Sequence, residues 1–231
     1  MANVMVFLDQ HFICEQASPE ELDRLWAQGW RHFGTYFFRY SVALHWGGIQ
    51  TVIPLRVDLA RFTPSRSQKR VLAKNRDLTV KIRDSFIDGE KMELFFRHRQ
   101  RFKNNIPDTI YDFLTDEPAS KPCINREISI YQGERLLAAS FLDVGKRSTS
   151  AVYSMFDPVE TKRSLGIFAI LRSIQYSKEL NYRYYYIGYA YREPSIYDYK
   201  KNFGALESFD WKKSWRPMKG TMNEKSQLGY S

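Results

Sequence analysis

Cysteine is scarce: only Cys14 and Cys123 occur in 231 residues, in unrelated contexts, which excludes a disulfide framework. No CxxC or HxxxH-type pair is present. His11, His32, His45 and His98 are scattered singly and read as structural or exposed groups, so no metal site is expected. No apolar run approaches the ~18 residues needed to cross a bilayer. The opening MANVMVFLDQHF contains Asp9 and lacks both a basic leader and a long apolar core, so it is not a secretory signal. These absences predict a soluble, cytoplasmic protein without membrane contact. Negative charge is also short: 26 Asp and Glu face 35 Lys and Arg, leaving a net charge of +9. Such an excess points to an anionic partner, nucleic acid or acidic peptide.

Hydrophobic residues at 43% and charged residues at 26% suit a folded protein, and the length suits one large or two small domains. The 15 Tyr and 16 Phe favour packed strands and grooves over disorder. Ser18, Pro19 and two acids open a helix buried through Leu22, Leu25, Trp26 and Trp30. Strands are predicted at 4–8, 35–43, 49–59 and 79–85, and helices at 89–102 and 108–114. Between Arg61 and Lys103 stand 13 Lys and Arg against 5 Asp and Glu. There Ser65 and Gln68 form a capping box for a helix with Arg66, Arg70 and Lys74 along one side, flanked by Lys69 and Arg76. With Ser67 in its first turn, such a helix can donate to one phosphate, although a solvated basic face looks similar.

DEPASKP, residues 116–122, has linker composition and marks the expected boundary between units 1–115 and 116–231. Strands follow at 125–131, 134–144 and 150–156. Then Gly166 opens an apolar run of Leu165, Phe168, Ala169, Leu171 and Ile174 at helical spacing. Asn181 stops that helix, the aromatic strand 182–189 follows, and a last strand is expected over 209–215. The helix N-terminus presents unpaired N–H groups above the sheet.

This strand order resembles the GCN5-related acetyltransferase architecture, an α/β (α+β) mixed sheet flanked by helices. That family's R/Q-x-x-G-x-G/A loop begins correctly at Arg163 and Gly166, but Phe168 stands where Gly or Ala is usual, which argues against coenzyme A. Three further blocks resemble the arginyl- and leucyl-tRNA–protein transferases: PLRVDLARFTPSRSQKR (54–70), SAVYSMFDPVETKRSLG (150–166) and YYIGYAYREPSIYDYKKNF (185–203). The resemblance implies two acetyltransferase-like units in tandem. Trp46, Ile49 and Val52 occupy places where relatives often carry Cys, so it implies no metal or iron–sulfur centre here.

By the same resemblance, an acceptor α-amine attacks the ester joining an amino acid to the 3′ end of its tRNA, with aminoacyl-tRNA as co-substrate and no cofactor. Arg66, Ser67, Gln68, Lys69, Arg70, Lys74 and Arg76 are expected to grip the tRNA. Backbone amides at Ser164, Leu165 and Gly166 are the expected oxyanion donors, and Asp143 and Asp157 the bases or amine orienters. Tyr153, Tyr186, Tyr189 and Tyr199 would line the groove. Arg163 and Lys200 are the expected cations for an acceptor with an acidic first residue. A coenzyme A-dependent acetyltransferase, a catalytically silent RNA-binding relative and a transferase to a small molecule or dedicated peptide are the alternative readings.

Overall fold

Side-chain caps decide where three of the four helices begin. A computed structural model of the chain describes residues 7–45, 48–103 and 105–218. Helix α1 (Pro19–Ala27) and helix α2 (Arg66–Lys74) both start on capping boxes. Ser18 Oγ accepts the Glu21 N–H at 3.3 Å and the Glu21 carboxylate accepts the Ser18 N–H at 2.8 Å. Ser65 and Gln68 repeat this at 3.3 and 2.9 Å. Asp88 caps α3 (Gly89–Arg99) through the Lys91 N–H. Helix α4 (Leu165–Glu179) is different, because Ser164 takes a left-handed conformation and its side chain caps nothing. Capping of this kind is worth about 1 kcal/mol, so α4 depends instead on burying Leu165, Phe168, Ala169, Leu171 and Ile174.

Among the described residues the large sheet has nine strands. Along it run β12 (Trp215–Pro217), β11 (Leu206–Phe209), β5 (Gly48–Asp58), β10 (Tyr184–Tyr191), β9 (Ser148–Phe156), β8 (Arg135–Val144), β7 (Asn125–Gln132) and β6 (Thr79–Asp84), with β4 (Val42–His45) paired to β5. All neighbours are antiparallel except β9 and β10, which run parallel because α4 crosses between them. A second, three-stranded sheet orders β1 (Asp9–Ile13), β3 (Tyr36–Tyr40) and β2 (Arg31–Phe33).

Two apolar layers cover the large sheet. On one face, Val71 and Leu72 of α2 and Ile170, Leu171 and Ile174 of α4 pack with Leu55, Val57, Ile128, Leu142, Tyr185 and Ile187. On the other, α3 places Leu94 and Phe95 against Phe141 and Met155, while α1 places Leu22 and Trp26 against Tyr186 and Phe37. The small sheet therefore lies on the α1 face through Phe37.

The mixed sheet flanked by helices agrees with expectation; the separation at 116–122 does not appear as a break between two sheets. Strands β5 and β6, from before that segment, sit in the same ladder as β7 to β12. Burial explains this: Leu55 and Val57 of β5 enter the core that α4 and β10 complete. The expected strand 209–215 is instead a hairpin, because Asp210 accepts the N–H groups of Lys212, Lys213 and Ser214 and bends the chain. Residues 108–114 form only a short 3-10 turn, Ile110–Asp112. The expected strand over 4–8 lies mostly outside the described residues.

Candidate active site

Strands β9 and β10 pair over only three positions, Tyr184–Ser148, Tyr185–Thr149 and Tyr186–Ser150. Beyond these they separate, and β10 shifts register at Gly188, which has a positive φ of 97°. Only glycine accepts this backbone comfortably. A Cβ there would also lie 3.2 Å from Lys200 Nζ and 4.0 Å from Arg31 Nη2. The opening between the strands thus receives two cations, Lys200 and Arg31. Arg31, on β2, donates to Ser150 Oγ and to the Ala151 carbonyl. Lys200, in a 3-10 turn over Asp198–Asn202, donates to the Tyr189 carbonyl at 2.9 Å. Among the described residues neither cation forms an ion pair. Burial and then the nearby Arg31 charge pull Lys200 down to about 7, and burial likewise lowers Arg31 against the opposing pull of Asp143.

Arg31 is held by its neighbour in sequence. His32 Nδ1 lies 2.8 Å from the Gly34 carbonyl and Nε2 lies 2.7 Å from Asp143 Oδ2. A carbonyl only accepts, so Nδ1 is the donor to Gly34 O. Asp143 Oδ1 accepts from Asn125 Nδ2 at 2.8 Å and from the Cys123 thiol at 3.4 Å. His32, Cys123 and Asp143 offer three buried ligand-type atoms within 4.8 Å of one another. The 2.7 Å separation of nitrogen and oxygen is that of a hydrogen bond. Burial and the adjacent Asp143 raise the Cys123 thiol well above its ordinary range.

Helix α4 starts at the wide end of the opening. Its first intrahelical bond runs from Phe168 N–H to Ser164 O, which leaves the amides of Leu165, Gly166 and Ile167 without helical acceptors. A Cβ on Gly166 would meet the Phe156 ring at 3.1 Å, so the helix start fits closely against the end of β9. Helix α2 lies antiparallel along α4. At its C-terminal end Lys74 Nζ donates to Lys162 O and Asn75 Nδ2 to Arg163 O, at 2.7 and 2.8 Å. At its N-terminal end Gln68 Nε2 reaches Asn202 O, in the turn that carries Lys200. Arg66, Lys69, Arg70 and Arg76 are exposed and have no ion-pair partner among the described residues. Arg66, Arg70 and Lys74 form a cationic stripe of about 12 Å along α2.

Residues 6–70 and 90–210 match family models described as the N terminus and the C terminus of arginine-tRNA-protein transferase. The chain belongs to this family. An aspartate/glutamate leucyltransferase of Saccharophagus degradans is 32% identical over 209 residues, covering 88% of this chain and 85% of that one. One from Teredinibacter turnerae is 35% identical over 205 residues, covering 86% and 80%. One from Leptospira interrogans is 33% identical over 192 residues, covering 81% and 73%. Solved structures are similar more loosely: FemX aligns with a TM-score of 0.47 at 12% identity, over 82% of this chain and 65% of that one. The chain is thus an aminoacyl-tRNA-dependent transferase. No helix among the described residues is long and apolar enough to cross a membrane.

Several residues of this transferase stand elsewhere than the sequence suggested. Asp143 is enclosed by His32, Asn125 and Cys123, and so is not a free base. Asp157 is buried; burial raises its carboxyl, but the Val159 N–H, Arg135 and Arg97 outweigh this and hold it low. It ties the end of β9 to α3 and β8. Arg163 forms a two-bond pair with Asp77, both bonds at 3.0 Å, and also pairs with Glu160, so it is not a second pocket cation. Gln68 is buried in its capping box rather than offered to a phosphate, and the Ser67 hydroxyl is 3.0 Å from Ser65. Tyr186 points to the α1 face, between Trp26 and Trp215, with burial pushing its hydroxyl up to about 12.

Other sequence candidates do border the opening. Tyr189 forms its wall, with its hydroxyl donated to Gly29 O at 2.6 Å. Tyr199 is 40% exposed beside Lys200, raised to about 12 by burial and by Tyr197. Tyr153 stacks on Phe113 at 3.9 Å, and its buried hydroxyl has no hydrogen-bond partner among the described residues. Burial pushes that hydroxyl far up, so Tyr153 does not ionise near neutrality. The Phe168 ring is buried against Leu137, Ala138 and Leu165, away from the mouth, so crowding by this ring does not account for donor choice. Arg31 and Arg101, whose guanidinium lies 4.2 Å from the Phe156 ring centre, were missed from sequence.

Proposed function

We propose that this transferase moves leucine from its tRNA to the α-amine of polypeptides whose first residue is Asp or Glu. The observation that carries the reading is the pair of cations, Arg31 and Lys200, that meet at the Gly188 bulge and have no ion-pair partner among the described residues. Two like charges in a poorly solvated opening repel, and a carboxylate entering between them relieves that repulsion. The acceptor's acidic side chain is such a carboxylate. The names of the three relatives support leucine as the donated residue and Asp or Glu as the acceptor, whereas the family model's name favours arginine.

In this reading the stripe Arg66, Arg70 and Lys74, with Lys69 and Arg76, holds tRNA phosphates and sets the 3′ end over the α4 N-terminus. The acceptor nitrogen bonds to the ester carbonyl carbon, the carbonyl oxygen gathers charge, and the bond to the tRNA 3′ oxygen breaks. That oxygen leaves with the proton released by the amine. The ester is already activated, so neither ATP, nor a metal, nor a covalent enzyme intermediate is required. The unpaired amides of Leu165, Gly166 and Ile167 are the oxyanion donors. The chain's contribution is positioning and charge stabilisation.

Radiolabelled leucyl-tRNA and arginyl-tRNA, each incubated with peptides beginning Asp, Glu or Lys, test this directly. Label is expected on the Asp and Glu peptides from leucyl-tRNA only. Equal labelling of the Lys peptide would remove the cation pair as the acceptor reader.

A further inference from the structure

The small sheet turns one face toward its core, while the other is partly covered and is exposed around Ile13 and Tyr36. Cross-strand partners share a face, and Phe12 opposite Phe37 lie on the face packed against Trp26. The other face is ordered in rows. Arg31, Phe38 and His11 form one row; Phe33, Tyr36 and Ile13 form the next. The rows are separated by two residues, about 7 Å. Ile13 is 62% and Tyr36 44% exposed. Tyr36, Phe38 and Tyr40 stack in sequence, Phe38 and Tyr40 contact Tyr189 at the opening, and Phe33 meets Phe113. An aromatic wall thus runs continuously outward from the arginine that enters the opening.

We propose that this face binds the acceptor polypeptide beyond its first residue, selecting an apolar or aromatic side chain at its third position. This rests on the reading that Arg31 and Lys200 hold the acidic first residue. The occupant follows from continuity: the strand that supplies Arg31 also supplies Phe33, so a chain anchored by its first side chain at Arg31 passes over the Phe33–Tyr36–Ile13 row next. An extended peptide advances about 3.4 Å per residue with alternate side chains on opposite sides, so the third side chain, on the same side as the first, reaches that row about 7 Å away. The basic stripe of α2 lies on the opposite face of the large sheet, leaving this side for the acceptor. Charge agrees, because the exposed edge of the wall carries Asp9 and His11 rather than a cluster of cations.

The test compares two synthetic acceptors, Asp-Phe-Leu-Gly-Lys and Asp-Gly-Gly-Gly-Lys, using charged tRNA as donor. The expected result is a kcat/KM at least tenfold higher for the apolar peptide, carried by KM. In the double variant Ile13→Ser, Tyr36→Ser this advantage falls below threefold, and the Kd for tRNA does not change. Equal kcat/KM for the two peptides in the unmodified enzyme would overturn the proposal. So would an advantage that survives in the double variant, or a weakened tRNA Kd, which would assign the wall to RNA. Labelling of neither acidic peptide overturns the underlying reading as well, and equal labelling of both overturns this inference alone.

Discussion

Replacing Lys200 by Met should stabilise the fold and weaken acceptor binding at the same time. Both effects come from one arrangement: the ammonium is partly desolvated beside Arg31, which lowers its pKa from 10.5 to about 7. At face value that drop is about 5 kcal/mol against the charged form. Water at the mouth screens it, and about 2 kcal/mol is a fair working figure. Methionine loses the bond to the Tyr189 carbonyl, worth about 1 kcal/mol, so the net gain is about 1 kcal/mol. For a chain of this size Tm should rise by about 2–4 °C. The sign depends on pH. Below pH 7 the native state carries the full penalty; between about pH 7 and 10 the unfolded chain binds more protons than the native one, and the penalty fades. The Tm gain should therefore be present at pH 6 and should shrink steadily at pH 8 and 9. A charge-assisted hydrogen bond to an acidic side chain is worth about 1.5–3 kcal/mol, so KM for an Asp peptide should rise about 10- to 100-fold with little change in kcat. Calorimetry at several pH values and steady-state transfer assays measure the two effects. A lower Tm at pH 6, or an unchanged KM, would refute the reasoning.

Two more outcomes follow from the site. Arg70→Ala removes one exposed cation of the α2 stripe; tRNA binding should weaken and the slope of log Kd against log salt should drop by up to about 0.9, measured by filter binding over a salt series. Gly166→Ala puts a methyl 3.1 Å from the Phe156 ring at the helix start. Displacement by a few tenths of an ångström should lower kcat about tenfold, with tRNA Kd and Tm near those of the unmodified enzyme; a matching loss of tRNA binding would point to a displaced helix.

Local chemistry was legible in the chain. The capping boxes at Ser18 and Ser65 depend on residues three apart, and the structure starts α1 and α2 at those points. The apolar spacing of Leu165 to Ile174 places α4, and Asn181, in a left-handed conformation at φ 57°, ends it as expected. The basic excess between residues 61 and 103 gives the exposed stripe, because Arg66, Arg70 and Lys74 share one side of any helix. Charge that must stay solvated and periodicity that must be buried are both local properties, so each could be read residue by residue.

Partnership was not legible. Arg163 and Lys200 looked alike in sequence, yet Asp77, 86 positions away, neutralises one while among the described residues no ion pair reaches the other. Asp143 and Asp157 looked like bases until His32, 111 positions away, and Arg135 closed around them. Arg31 became part of the opening only because the small sheet packs onto α1 and delivers it to Ser150, 119 positions distant. A pKa or a pocket depends on which charges are brought within a few ångströms and how much water is excluded. Those distances are set by β-strand pairing between distant segments, and no nearest-neighbour pattern encodes them.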